Sequence, residues 1–104
     1  MTFHVTHLTG DMESDVPLES LPGLLDEVNE ADGEHTDVSL THETEWCLST
    51  SARGLLVWEN LESRESKPRH MNGVERAHVL RLWTALADGD LAMIDAEPWL
   101  PGYS

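Results

Sequence analysis

The sequence predicts an α+β fold in two layers, an antiparallel sheet of about four strands with two main helices packed on one face. Three observations predict it. Apolar residues recur at helical spacing in two places, after residue 20 and again between residues 73 and 87. Between them, "HTDVSLTHETEWCLSTSARGLLVWENL" alternates apolar and polar residues in short runs separated by turn-formers. The chain of 104 residues has room for one hydrophobic core, so residues 1–104 are read as a single acidic domain. Within it, 1–17 form an N-terminal strand and loop, and 100–104 a tail.

The elements follow in order. Phe3 and Val5 share one face of "TFHVTHL" and His4 and Leu8 the other, a short first strand, and "TGDMESDVP" is a loop. Ser20 stands where an N-cap belongs, with Pro22 in the first turn, where a missing N–H does no harm. Leu21, Leu24, Leu25 and Val28 then form one apolar stripe, which Asp32 and Gly33 end. Val38 and Leu40 face one way and Asp37, Ser39 and Thr41 the other, as in a half-buried strand. After the polar turn "HETE", Trp46, Leu48 and Thr50 share a face of the next strand; "SARG" turns the chain again, and "LLVWENL" is a strand apolar on both sides. A charged loop covers 62–69 and "RHM" is a further short strand. Asn72 with Glu75 forms a capping-box pair for the second helix, whose stripe is Val79, Leu82, Trp83 and Leu86, made to lie on Val38 and Leu40. "DGD" stops that helix, "LAMID" is a turn, and "EPWLPGYS" is a proline-punctuated tail.

Charge is placed unevenly. The formal net charge is -14, from 20 Asp and Glu against 6 Lys and Arg, and no Lys or Arg precedes Arg53. Such a field repels nucleic acid and anionic membrane, which excludes both as direct partners, and it speeds encounter with basic protein surfaces. No apolar run approaches the ~20 residues of a membrane span, and the N-terminus lacks the basic and apolar regions of a signal peptide. With one cysteine, Cys47, a reducing, cytoplasmic location is the expectation.

Catalytic and metal motifs are not found. His4 and His7, three apart in a strand, fall on opposite faces, and His42-Glu43 has no second His at the spacing of a zinc helix. "DMESDVPLE" places Asp11, Glu13 and Asp15 at alternate positions but has Val16 where a calcium loop requires Gly and Pro22 where it requires Glu. Cys47 reads as a small apolar strand residue. No nucleophile elbow, phosphate loop or dinucleotide fingerprint occurs. The expectation is therefore a binding protein, not an enzyme, with no cofactor and no metal. Trp58 shares a strand face with Leu56 and Asn60; were the helices to cover Leu55 and Val57, Trp58 would be a partly exposed aromatic of the kind that anchors interfaces, the alternative being that it packs under the 62–69 loop or the C-terminal tail.

The order of "LPGLLDEVNEADG", "TDVSLTHETEWCLSTSARGLLVWENLES" and "LRLWTALADGDLAMIDAEPW" resembles the first-numbered immunity-protein family of bacterial polymorphic toxin systems in its layout. That resemblance implies a small cytoplasmic protein that neutralises a toxin domain, often one acting on nucleic acid, by binding it. A toxin of that kind needs a basic cleft, which an acidic domain can fill with carboxylates in place of phosphates. The candidate contacts are Asp37, Glu43, Glu45, Trp58 and Glu59. The alternatives are an acidic adaptor or nucleic-acid mimic that binds a host regulator, and a small enzyme.

Overall fold

A strand with alternating apolar residues buries one face and leaves the other to water, so a sheet of such strands needs a helical layer on one side only. The computed structural model, which describes residues 2–32, 36–63, 65 and 67–103 and Arg53 in its backbone alone, is an α+β fold of this kind. Among the described residues, seven strands rather than about four form one antiparallel sheet. They are β1 (Phe3–Thr6), β2 (Met12–Ser14), β3 (Asp37–His42), β4 (Trp46–Ser51), β5 (Leu56–Asn60), β6 (Arg69–Met71) and β7 (Leu100–Pro101), in the order β2-β1-β3-β4-β5-β6-β7. The extra strands are β2, in what was expected to be a loop, and β7, in the expected tail. Both are held by main-chain pairing while their side chains stay exposed, so neither carries an apolar signal.

The register lines up the core. Val5, Leu40, Leu48 and Trp58 lie directly opposite one another across β1, β3, β4 and β5, and Val38, Thr50, Leu56 and Met71 do so across β3 to β6. All eight are buried. Helix α1 (Leu21–Asp26), flanked by 3-10 turns at Leu18–Ser20 and Glu27–Glu30, contributes Leu21, Leu24 and Leu25, and α2 (Arg76–Ala87) contributes Val79, Leu82, Trp83 and Leu86. The Trp83 indole donates to the Leu48 carbonyl at 2.9 Å, tying α2 to β4.

The helical layer differs from the expected pair. Helix α2 lies over β3 and β4, α1 packs mainly on α2, and the expected turn "LAMID" is a third helix, α3 (Leu91–Asp95), also against α2. Asp90 starts α3 by accepting the Met93 N–H at 3.3 Å. Neither expected cap acts as one. Ser20 has helical backbone angles and donates its hydroxyl to the Pro17 carbonyl at 2.7 Å. Helix α2 begins three residues later than expected, after Glu75, because Gly73 turns the chain with φ +64° and Val74 N–H donates to Gly54 O at 3.0 Å. Gly33, the expected helix stop, lies outside the described residues, as do two positions of the 62–69 loop.

Trp58 is the main correction. It is 0% exposed, because the helices cover the Leu56 and Trp58 face of β5 rather than the Val57 face. Its ring stacks on Trp46 at 4.7 Å between centroids and on Trp99 at 6.4 Å. Its N–H donates to Asp95 Oδ1 at 2.8 Å, and Arg69 Nη2 donates to the same oxygen at 3.0 Å.

Two substitutions test this packing. Trp58→Ala removes a fully enclosed ring and leaves a cavity beside Trp46 and Trp99, with an expected loss of about 3–5 kcal/mol in denaturant unfolding. Gly54→Ala would place a Cβ 2.6 Å from the Val74 carbonyl oxygen at φ +73°. A loss greater than ~1 kcal/mol is expected there, whereas Gly10→Ala, with nothing within 4 Å, should suffer from its positive φ alone.

Candidate functional site

Because side chains alternate, burying Leu56 and Trp58 turns Val57 and Glu59 to the opposite face. A row of directly opposed residues crosses that second face from β1 to β7: Thr6, Ser39, Ser49, Val57, His70 and Leu100. A second row runs His4, Thr41, Cys47 and Glu59. Small hydroxyl and thiol side chains thus occupy the centre, where Thr41, Cys47 and His70 are buried, and charge is carried by Asp37 and Glu59.

The C-terminal segment returns over this face. Gly102 donates its N–H to Pro68 O at 2.9 Å and its carbonyl meets His70 Nδ1 at 3.0 Å. Tyr103 is thereby carried from the β6 edge to β5, where its hydroxyl donates to Glu59 Oε2 at 2.6 Å. Tyr103 remains 57% exposed, and Leu100 on β7 is 50% exposed. Tyr103, Asp37, Ser49, Ser51 and Val57 border a shallow hollow of about 310 Å³. An exposed aromatic with small polar neighbours and a charged rim has the anatomy of a protein-binding surface.

The carboxylates differ in their surroundings. Loss of solvation pushes the Asp37 carboxyl up from its ordinary value, its own backbone hydrogen bond partly opposes this, and the charge of Glu59 adds to it. Glu59 holds the Tyr103 phenol up, first through the hydrogen bond and then through its charge. At the β3–β4 turn, Glu43 Oε2 accepts from Thr2 N at 3.3 Å and from Thr2 Oγ1 at 3.2 Å, and these bonds hold its carboxyl low. Glu45 shapes the same turn with φ +70°, and its carbonyl accepts the Leu61 N–H at 2.9 Å. Among the described residues, none of Asp37, Glu43, Glu45 and Glu59 forms an ion pair with Lys, Arg or His.

Of the sequence-derived candidates, then, Asp37 and Glu59 share the second face. Glu43 and Glu45 stand at its turn end, close to Glu59 and a strand's length from Asp37. Trp58 belongs to the core and is replaced as the exposed aromatic by Tyr103, which the sequence showed only as an aromatic in a tail between Pro101 and the chain end. Val57 and Leu100 were likewise missed. Cys47 is buried, burial pushes its thiol up, and Thr41 and Ser39 hydrogen-bond to it, so its thiolate is scarce at neutral pH. Among the described residues, no group of three or more His, Cys, Asp and Glu is placed to hold a metal ion, and no helix is long and apolar enough to cross a membrane.

Compared with known proteins, the chain matches no family model, no curated sequence and no solved structure.

The raised Asp37 carboxyl gives a signed prediction. A carboxyl whose folded pKa lies above its unfolded value favours folding while protonated and loses that contribution as pH rises through the folded pKa. At neutral pH Asp37→Asn should therefore leave thermal stability unchanged or raise it, and the difference from the parent should narrow as pH falls towards ~4. A clear drop in melting temperature at pH 7 would show that Asp37 has a stabilising partner.

Proposed function

We propose that this chain is an immunity-type inhibitor that binds a basic toxin domain, one acting on nucleic acid, through the second face of its sheet. The single observation that carries the reading is the pairing of an exposed aromatic, Tyr103, with carboxylates that no described basic side chain neutralises, on the face the helices leave open. Asp37 and Glu59 engage cationic side chains where the toxin would hold phosphates, and Glu43 and Glu45 extend the negative edge. Tyr103 and Leu100 supply apolar contact area. The overall charge of -14 speeds encounter and repels nucleic acid from the same surface.

The test is capture by the tagged chain from lysate of its own organism at ~50 and ~300 mM salt, followed by co-expression of the captured protein with and without the chain. One basic protein held at both salts, toxic alone and harmless with the chain, is the expected outcome. Tyr103→Ala and Glu59→Lys should each weaken that complex at least about tenfold, the loss of about 1.4 kcal/mol expected of a modest hot spot. Trp58→Phe should leave affinity unchanged. Capture of several nucleic-acid-binding host proteins, all lost at the higher salt, would instead mark an acidic mimic or adaptor.

A further inference from the structure

Away from the second face, three elements meet at one imidazole. His7 follows β1; its Nδ1 lies 2.7 Å from Glu27 Oε2 on the 3-10 turn after α1, and its Nε2 lies 2.5 Å from Glu13 Oε1 on β2. Glu27 is fixed from its other oxygen, since Oε1 accepts the Leu8 N–H at 3.0 Å. The facing charges are Glu13 from the strand and Glu27 from the helical segment. Asp11, in the same hairpin, meets His7 through its backbone carbonyl, which accepts the His7 N–H at 2.7 Å. A neutral imidazole has one N–H and one lone pair, so it can satisfy only one of two ionised carboxylates. The arrangement is satisfied on both sides when both ring nitrogens carry a proton.

We propose that His7 is a proton-operated latch, whose imidazolium fastens the β1–β2 hairpin against the helical segment and whose deprotonation gives up one of the two carboxylate bonds and loosens the hairpin, while the Leu8 N–H bond to Glu27 remains. The inference is independent of the toxin reading. The latch stands at a hollow whose apolar wall is Val5, Val16 and Leu24, and among the described residues β2 is an edge strand. With the imidazole neutral, one carboxylate faces a lone pair, and the hairpin loses a tie that its exposed strand residues do not replace. The Glu27 hydrogen bond raises the His7 pKa most, burial opposes it, and the Glu13 hydrogen bond and both charges add to the rise. The sign follows: the latch contributes fully below the ordinary imidazole value of ~6.5 and is lost as pH climbs through the higher folded value.

The experiment is an NMR titration of the isotopically labelled full chain from about pH 5 to about pH 9, which brackets imidazole ionisation. Imidazole shifts are read together with hydrogen exchange of the amides of residues 8–14, corrected for intrinsic rates. The expected result is a His7 midpoint above ~6.5 and hairpin protection that falls through the same midpoint, about tenfold for each unit of elevation. Glu27→Gln and the surface substitution Glu13→Gln should each lower the midpoint and shrink the step, and His7→Gln should abolish it. A midpoint at or below the ordinary value, or protection that is flat through the titration, overturns the latch.

Discussion

The disposition of β5 governs the rest of the molecule. Its side chains alternate, so placing Leu56 and Trp58 against the helices fixes Val57 and Glu59 on the other side and, through the register, fixes every row of the second face. Trp58 can occupy the core because its one polar atom is answered. An indole N–H buried without a partner would cost on the order of 1–3 kcal/mol, and here Asp95 accepts it at 2.8 Å. Asp95 in turn receives Arg69 from β6, whose guanidinium carbon lies 5.9 Å from the Trp46 ring centre. One buried donor therefore joins α3, β6 and β4 around β5, and the adjoining segment carries Trp99 onto the same stack. The chain that leaves Trp99 becomes β7 and then Tyr103, so the open face owes its aromatic to the closed one.

Much of this was legible in the sequence, and what was not has identifiable causes. Alternation in "DVSLT" and "WCLST" gave β3 and β4 with the correct sides because each has one apolar face. "LLVWENL" lacks that contrast, since Leu55, Leu56, Val57 and Trp58 run on without a break, and its parity was open until helices were placed on it. The strands β2 and β7 carry no buried side chains and are paired through the main chain, which sequence pattern does not encode. Ser20 and Asn72 have the right chemistry for caps, but Ser20 is already inside a helical turn and Gly73 delays α2, so the backbone overrode residue type. In the candidate site, Asp37 and Glu59 were readable from alternation alone. Tyr103 was not, because its position depends on Gly102 being held by Pro68 and His70, partners more than thirty residues away.

Among the described residues, the two arginines in ion pairs are committed away from the second face. Arg76 pairs with Asp26 at 2.5 Å and joins α2 to α1, and Arg69 pairs with Asp95 at 3.0 Å and joins β6 to α3. Both serve the helical side of the molecule. Among the described residues, neither Asp37 nor Glu59 has a basic partner, and the rise of the Asp37 carboxyl comes mainly from lost solvation, with a smaller contribution from the charge of Glu59. A cation supplied by a partner would reverse the second of these causes and compensate for the first, so docking and ionisation of Asp37 favour one another. In the proposed complex, the same feature that raises the Asp37 carboxyl in the isolated fold would increase what the face gains from a basic surface. On the proposed docking, a salt bridge made there would also be desolvated and would discriminate between partners more than an exposed surface pair does.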